Sequence, residues 1–310
     1  MSTRHFWLAV ATLAVGAWAA VANAQSTVHL YIYDTHTGAV TQATGPMDRD
    51  PYNASFSNNG KMLVHDLTDT VTFDKQLLGV TDLATGTTTS LNLFGDNAVW
   101  SPNGRLIAYF NFTDWVDSGF DPAVPPQVRV VAADGGAPVA VRDWASDASW
   151  SNNSRRIAFV DWWPQYIGTI GLDGTGETLF NEAVLGTGDG IGCNPSYSPD
   201  GKLIVYESRE CAEGGGFARL MVIPVNARGE PLGPPYAITD GTYWVTQPSF
   251  SNDGKTIVFS AGIADPMAGG LYAVSVYGGD PVMVFDRPGK GEWDPAYSKN
   301  GRYIVFSGPE

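Results

Sequence analysis

Six polar side chains hold the same place in six copies of one phrase: Asn53, Asn97, Asp147, Asn194, Gln247 and Asp294, each three residues ahead of an aromatic. Four are carboxamides and two are carboxylates, so the set offers donors, acceptors and two negative charges to whatever it surrounds. Carboxylate and amide oxygens are also the hard ligands that calcium takes, and a calcium ion held by this set is one expectation, although no loop shows the regular ligand spacing of a calcium motif. Asp147 and Asp294 belong to the third and sixth copies, which face each other if the copies form a ring. A glycosidase-like pair of carboxyl groups is therefore the one enzymatic arrangement on offer. The plainer reading is that the six side chains bridge neighbouring strands or hold channel water.

A second group mixes acids with tryptophans between the copies. Asp66, Asp69 and Asp74 follow the first copy; Asp114, Trp115, Asp117 and Asp121 the second; Asp161, Trp162 and Trp163 the third; Glu207, Glu210 and Glu213 surround the end of the fourth. Trp144, Trp244 and Trp293 stand just ahead of three of the six polar positions. Indoles beside hydrogen-bonding groups suit a sugar or a peptide, so Trp115, Trp144, Trp162, Trp163, Trp244 and Trp293 are the candidate binding residues of a loop face. Their alternative use is packing between repeats. Other catalytic machinery is missing: the sequence has no G-x-S-x-G, no Walker loop, no H-E-x-x-H and no C-x-x-C. His29 and His36 belong to the N-terminal hairpin and His65 ends a second strand, so the three are not expected to converge and read as surface or packed histidines. No catalytic residue is assigned.

The elements that must position these residues come from the repeat itself. The copies run NASFSNNGKMLVHD from Asn53, NAVWSPNGRLIAYF from Asn97, DASWSNNSRRIAFV from Asp147, NPSYSPDGKLIVYE from Asn194, QPSFSNDGKTIVFS from Gln247 and DPAYSKNGRYIVFS from Asp294. Their aromatic anchors are Phe56, Trp100, Trp150, Tyr197, Phe250 and Tyr297, at spacings of 44, 50, 47, 53 and 47 residues. Each copy reads as a short strand, a tight turn ending in glycine, and a β-branched or aromatic strand. Ser154 replaces the glycine in the third turn, where a positive φ costs on the order of 1 kcal/mol. A second hairpin follows each copy except the last, and no window carries a 3.6-residue period. Four strands per repeat at this period is the content of a propeller blade. The sixth copy stops after its second strand, while VHLYIYDTHTGAVTQAT near the start is a third-and-fourth-strand hairpin without a partner. The expected fold is thus all-β: one six-bladed propeller over residues 25–310, closed by its own N-terminal hairpin.

The phrase S-P-D-G-K-x-I-x-[FY] resembles the repeat of the TolB-type propellers, also found in the propeller domains of prolyl oligopeptidases and in oligogalacturonate lyase. The resemblance spans roughly Val28 to Phe306. It implies the propeller alone, because nothing here corresponds to the additional N-terminal α/β domain of TolB or to the hydrolase domain of the peptidases.

Composition bounds the partners. The chain has 310 residues and a formal charge of −14, so a nucleic-acid or anionic-membrane partner is excluded for want of a basic footprint. Residues 1–24 read as a signal peptide: Arg4 and His5, an apolar run from Phe6 to Val21, and Ala22-Asn23-Ala24 before a cleavage point at Gln25. That predicts a periplasmic or secreted protein without membrane insertion. In such a compartment Cys193 and Cys211, which flank one hairpin, are expected to form a disulfide. The function expected is a non-catalytic binding or assembly module that recognises an envelope protein through the loop face and the mouth of the central channel, where the six polar positions Asn53, Asn97, Asp147, Asn194, Gln247 and Asp294 are the candidate ligand-binding residues. The alternative is a propeller that binds or acts on glycans.

Overall fold

The computed structural model describes residues 28–45, 47, 49–69, 76–185, 190–208, 218–262 and 269–310. The segment 1–24 with its cleavage point, and Asp74, Glu210, Cys211 and Glu213, lie outside the described residues. Within them the chain forms six four-stranded antiparallel sheets. The chain enters through β1 (Val28–Asp34) and β2 (Val40–Gln42), then begins its first complete blade with β3 (Asp50–Phe56), β4 (Met62–Thr68), β5 (Leu77–Asp82) and β6 (Thr87–Phe94). The remaining blades start at β7 (Asp96–Trp100), β11 (Ala145–Trp150), β15 (Cys193–Tyr197), β19 (Trp244–Phe250) and β23 (Trp293–Tyr297). The last has only one further strand of its own, β24 (Tyr303–Pro309), and is completed in the order β2-β1-β24-β23.

The apolar residues of each repeat are placed so that blades stack rather than curl on themselves. A second strand such as β4 is buried from Leu63 to Thr68, because both of its faces meet a neighbouring blade; an outermost strand such as β6 alternates towards solvent. The core is consequently divided among the blade contacts. Val205, Leu220 and Val222 meet Phe250, Ile257 and Phe259 between blades four and five, and Leu30 and Val305 meet Ala54, Phe56 and Leu63 between blades six and one. The anchors Phe56, Trp150, Tyr197 and Phe250 are buried in these layers.

The tight turns explain the repeated serine and Asn/Asp. Ser57, Ser101, Ser151, Ser198, Ser251 and Ser298 each donate a hydroxyl hydrogen bond of 2.7–2.9 Å to the Asn or Asp two residues on. Each hydroxyl also accepts the N–H that opens the next strand, as from Met62 and Leu203. Ser154 does adopt the positive angle expected, at φ 57°. Its hydroxyl accepts the Asn103 N–H of the preceding blade at 3.0 Å, a bond that glycine would forgo and that offsets the strain.

Ring closure rests on β1. All seven of its residues pair with β24, from Val28 with Pro309 to Asp34 with Tyr303. Arg302 adds a two-pronged grip, donating through Nε and Nη2 to Asp34 Oδ2 at 3.0 and 2.7 Å. Nearby, the Arg287 guanidinium lies 4.2 Å from the centre of the Tyr31 ring and donates to the buried Glu292 carboxylate at 2.8 Å. Burial raises the Glu292 pKa to about 7 in spite of that partner.

Candidate functional site: the channel ring and the long-loop face

The six polar positions are one structural device. In every inner strand the register against the second strand slips around them, for example between Tyr52 and Ser55 and between Thr246 and Ser249. Each of the six has a positive φ, between 49° and 57°. They are the left-handed residues of six β-bulges, a conformation that Asn and Asp adopt more readily than other side chains. Gln247 meets the same demand without that advantage.

The bulge turns the backbone N–H towards the preceding blade, where an acceptor meets it. Asn53 N donates to Asp294 Oδ2 at 3.2 Å, Asn97 N to Asp66 Oδ2 at 3.1 Å, Gln247 N to Glu207 Oε1 at 2.6 Å and Asp294 N to Gln247 Oε1 at 3.2 Å. A backbone hydrogen bond from Asn194 reaches Asp147 in the same way. Side chains carry the chain of bonds onward: Asn97 Nδ2 to Asp147 Oδ1 at 2.9 Å, Asn194 Nδ2 to Glu207 Oε1 at 2.7 Å and Gln247 Nε2 to Asn53 Oδ1 at 2.9 Å. The bonds run around the channel. Hydrogen bonds between blades, the alternative use named above, are among the contacts these residues make.

Two members had been read as loop acids. Asp66 and Glu207 are fully buried and belong to this network, not to the loop face. Their signal was present in the phrase: its last residue is Asp66, Glu207, Ser260 or Ser307 in four copies and Phe110 or Val160 in the other two. Ser307 uses that place to donate to Asp294 Oδ2 at 2.9 Å. Asp96, directly before Asn97, was missed altogether; it accepts from Asn97 N at 2.7 Å and from Asn53 Nδ2 at 3.2 Å.

Burial dominates the electrostatics. The carboxyl of Asp147 is pushed up to about 7, by desolvation first and then by Asp96 and Glu207; that of Asp294 rises to about 6, again mainly through desolvation. Asp66 is held well above the usual carboxylate range by burial and by Asp96. Among the described residues no lysine, arginine or histidine is paired with Asp66, Asp96, Asp147 or Asp294. Nor are three or more His, Cys, Asp or Glu side chains among them grouped to hold a metal ion, so the calcium expectation gains no geometry. Asp147 and Asp294 each bond to neighbours along the ring. His65 is buried, with Nε2 2.8 Å from Thr81 Oγ1 and its pKa lowered to about 4 by burial. His36 is exposed in a turn and His29 is buried in β1.

The tryptophans divide. Helix α1 (Thr113–Asp117) carries Trp115 into the protein, where it is buried against Trp144 and Trp162, at centroid distances of 6.0 and 5.8 Å, and against Phe120 at 4.9 Å. Phe110 continues the cluster to Phe112 and Trp162. Trp163, which follows Trp162 in the chain, is 62% exposed. Trp293 lies beside Tyr52, 6.4 Å between rings, and Trp244 is half-buried at the start of β19. The structure therefore gathers Trp115, Trp144, Trp162 and Trp163 over blades two and three and leaves Trp244 and Trp293 elsewhere.

Comparison with known proteins agrees on architecture. The family model for the dipeptidyl peptidase IV N-terminal region matches residues 210–309. A protein assigned as TolB from Agrobacterium tumefaciens superimposes with a TM-score of 0.72 at 19% identity, over 93% of this chain and 99% of that one. The chain has the TolB-type propeller fold. An oligogalacturonate lyase in complex with manganese aligns at TM-score 0.54 and 15% identity, over 91% of this chain and 82% of that one. A chain of the nidogen/laminin complex aligns at 0.59 and 11%, over 83% and 93%. No curated protein matches the sequence.

Proposed function

We propose that this propeller is a non-catalytic binding or assembly module, exported to the periplasm or beyond, that recognises an envelope protein through its long-loop face. The observation that carries the reading is Trp163: a large apolar side chain, mostly in solvent, next in sequence to Trp162 of the packed aromatic cluster. Exposed aromatics on a rigid support are what interface hot spots are made of. The channel ring favours a structural part for the channel, since its amides and carboxyls bond mainly to one another. No helix among the described residues is long and apolar enough to cross a membrane. The likeness to a chain of the nidogen/laminin complex supports a protein partner by analogy of fold. The glycan-acting alternative has support in the likeness to a lyase, but His65 here is buried and bonded to Thr81.

The reading is tested by capture from an envelope extract. Bait protein should retain a partner that a Trp162→Ala/Trp163→Ala bait loses and a Tyr277→Ala bait, altered at an exposed turn on the opposite face, keeps. Equal retention by all three, or by none, ends this proposal.

A disulfide between Cys193 and Cys211 belongs to the same proposal. Cys193 is buried at the start of β15, and the loop between the two begins where Ser208 follows its hairpin. Closing 18 residues is worth roughly 3 kcal/mol in the chain-entropy model. Reductant is expected to lower the melting temperature by about 6 °C. An unchanged melt, with free thiols counted at zero before and two after reduction and unfolding, would show that the bond forms but adds no stability; two free thiols at the outset would show that it does not form.

A further inference from the structure

Asp66 and Asp96 come from adjacent blades, yet their side chains draw on the same two donors. Asn53 Nδ2 reaches Asp66 Oδ2 at 2.7 Å and Asp96 Oδ1 at 3.2 Å; Asn97 N reaches the same two oxygens at 3.1 and 2.7 Å. Two carboxylate oxygens converging on shared N–H groups, with no cationic side chain among the described residues to separate them, repel each other if both are charged. The other oxygen of Asp66, Oδ1, is buried without any hydrogen-bond partner.

We propose that Asp66 and Asp96 hold one proton between them and so act as a pH-sensitive tie between the first and second blades. The arrangement suits a proton better than a metal ion, because both converging oxygens already face N–H hydrogens. The surroundings work in the same direction. Asp147 on β11 and Asp294 on β23 both feel the Asp96 charge, which favours neutralising it. On β4, His65 turns its nitrogens to Thr81 and to the Asp66 carbonyl. Asp82 of β5 lies at the opposite end, capping its own turn at Ala84. With the proton bound, the pair closes the ring of bonds at this contact. Without it, two charges share donors enough for one, and the contact between β3, β4 and β7 loosens.

The test is a carbon-13 titration of the aspartate carboxyl groups, assigned with Asp66→Asn and Asp96→Asn. In the unaltered protein the two resonances should move together in two separated steps. Asp96→Asn keeps an acceptor for Asn97 and supplies a permanent donor to Asp66, so the upper step should vanish and the melting temperature at pH 8.5 should rise by about 5 °C relative to the parent. If both carboxyls are already ionised at pH 6, the pair holds no proton. If the purified protein carries one divalent cation per chain and a chelator shifts both resonances, the pair is a metal site and the proposal fails. Should either variant not fold, the titration of the unaltered protein decides alone.

Discussion

A chain lacking residues 1–44 is expected not to fold. The missing hairpin pairs with β24 along seven residues and buries Leu30 fully and Val28 and Tyr31 almost so, in two separate blade contacts. Burial of three such side chains is worth about 5–8 kcal/mol, comparable to the whole stability of an ordinary domain. The loss also uncovers the backbone edge of β24 and strands Arg287, whose guanidinium rests on Tyr31. The milder variant Leu30→Ala should still cost about 2–5 kcal/mol. Circular dichroism and denaturant titration check both, and adding a synthetic peptide of residues 25–44 to the truncated chain should restore structure. A truncated chain that melts cooperatively within a few degrees of the parent would show that the sixth blade is stable as two strands.

The second large effect is on the pH dependence of stability. Asp147 and Glu292 titrate near 7 in the folded protein and Asp294 near 6, all raised chiefly by burial from ordinary carboxylate values. The folded state therefore holds protons that the unfolded chain releases. Stability from these groups is fully present below about pH 4 and is lost as pH rises through 6 and 7. A carboxylate paired with a cation acts oppositely: Asp34, drawn down to about 2 by Arg302, stabilises above pH 4 and loses its contribution only as pH falls towards 2. The optimum should lie near pH 4, with a loss on the order of 3–5 kcal/mol between pH 5 and pH 8 and a melting temperature lower by roughly 10 °C. A double variant Asp147→Asn/Asp294→Asn should flatten that slope. A melting temperature that is level or rises from pH 5 to pH 8 would refute the account.

What could be read beforehand was set by periodicity. The turn serines, the glycines at positive φ and the two-strand remainder at each end all follow from local chemistry repeated six times, so fold and closure were legible. The ring positions were legible as polar, but not as bulges. A bulge adds one residue to one strand and exchanges the faces beyond it, and alternation alone does not show where that happens. Asp66 and Glu207, at the ends of second strands, looked like loop residues for a different reason: those strands are buried on both faces to their last residues, which a polar side chain at the end of the phrase does not announce. The tryptophans failed for another reason. Whether an indole packs or protrudes depends on a neighbour distant in sequence, as Trp115 depends on Trp144 and Trp162, and the adjacent Trp162 and Trp163 differ in burial although the sequence does not distinguish them.

The bulge ring also numbers the blades. At five of the six junctions a blade hands its successor a different acceptor: Asp294 for the first blade, Asp66 for the second, Asp147 for the fourth, Glu207 for the fifth and Gln247 for the sixth. Blades that look interchangeable in their turns and cores are thus addressed at the channel. A seventh blade gained by duplication would present the wrong neighbour at one junction, and two blades exchanged in order would do so at several. The arrangement ties the count and sequence of blades to a small set of channel side chains, so outer strands and loops can vary while the number of blades stays at six.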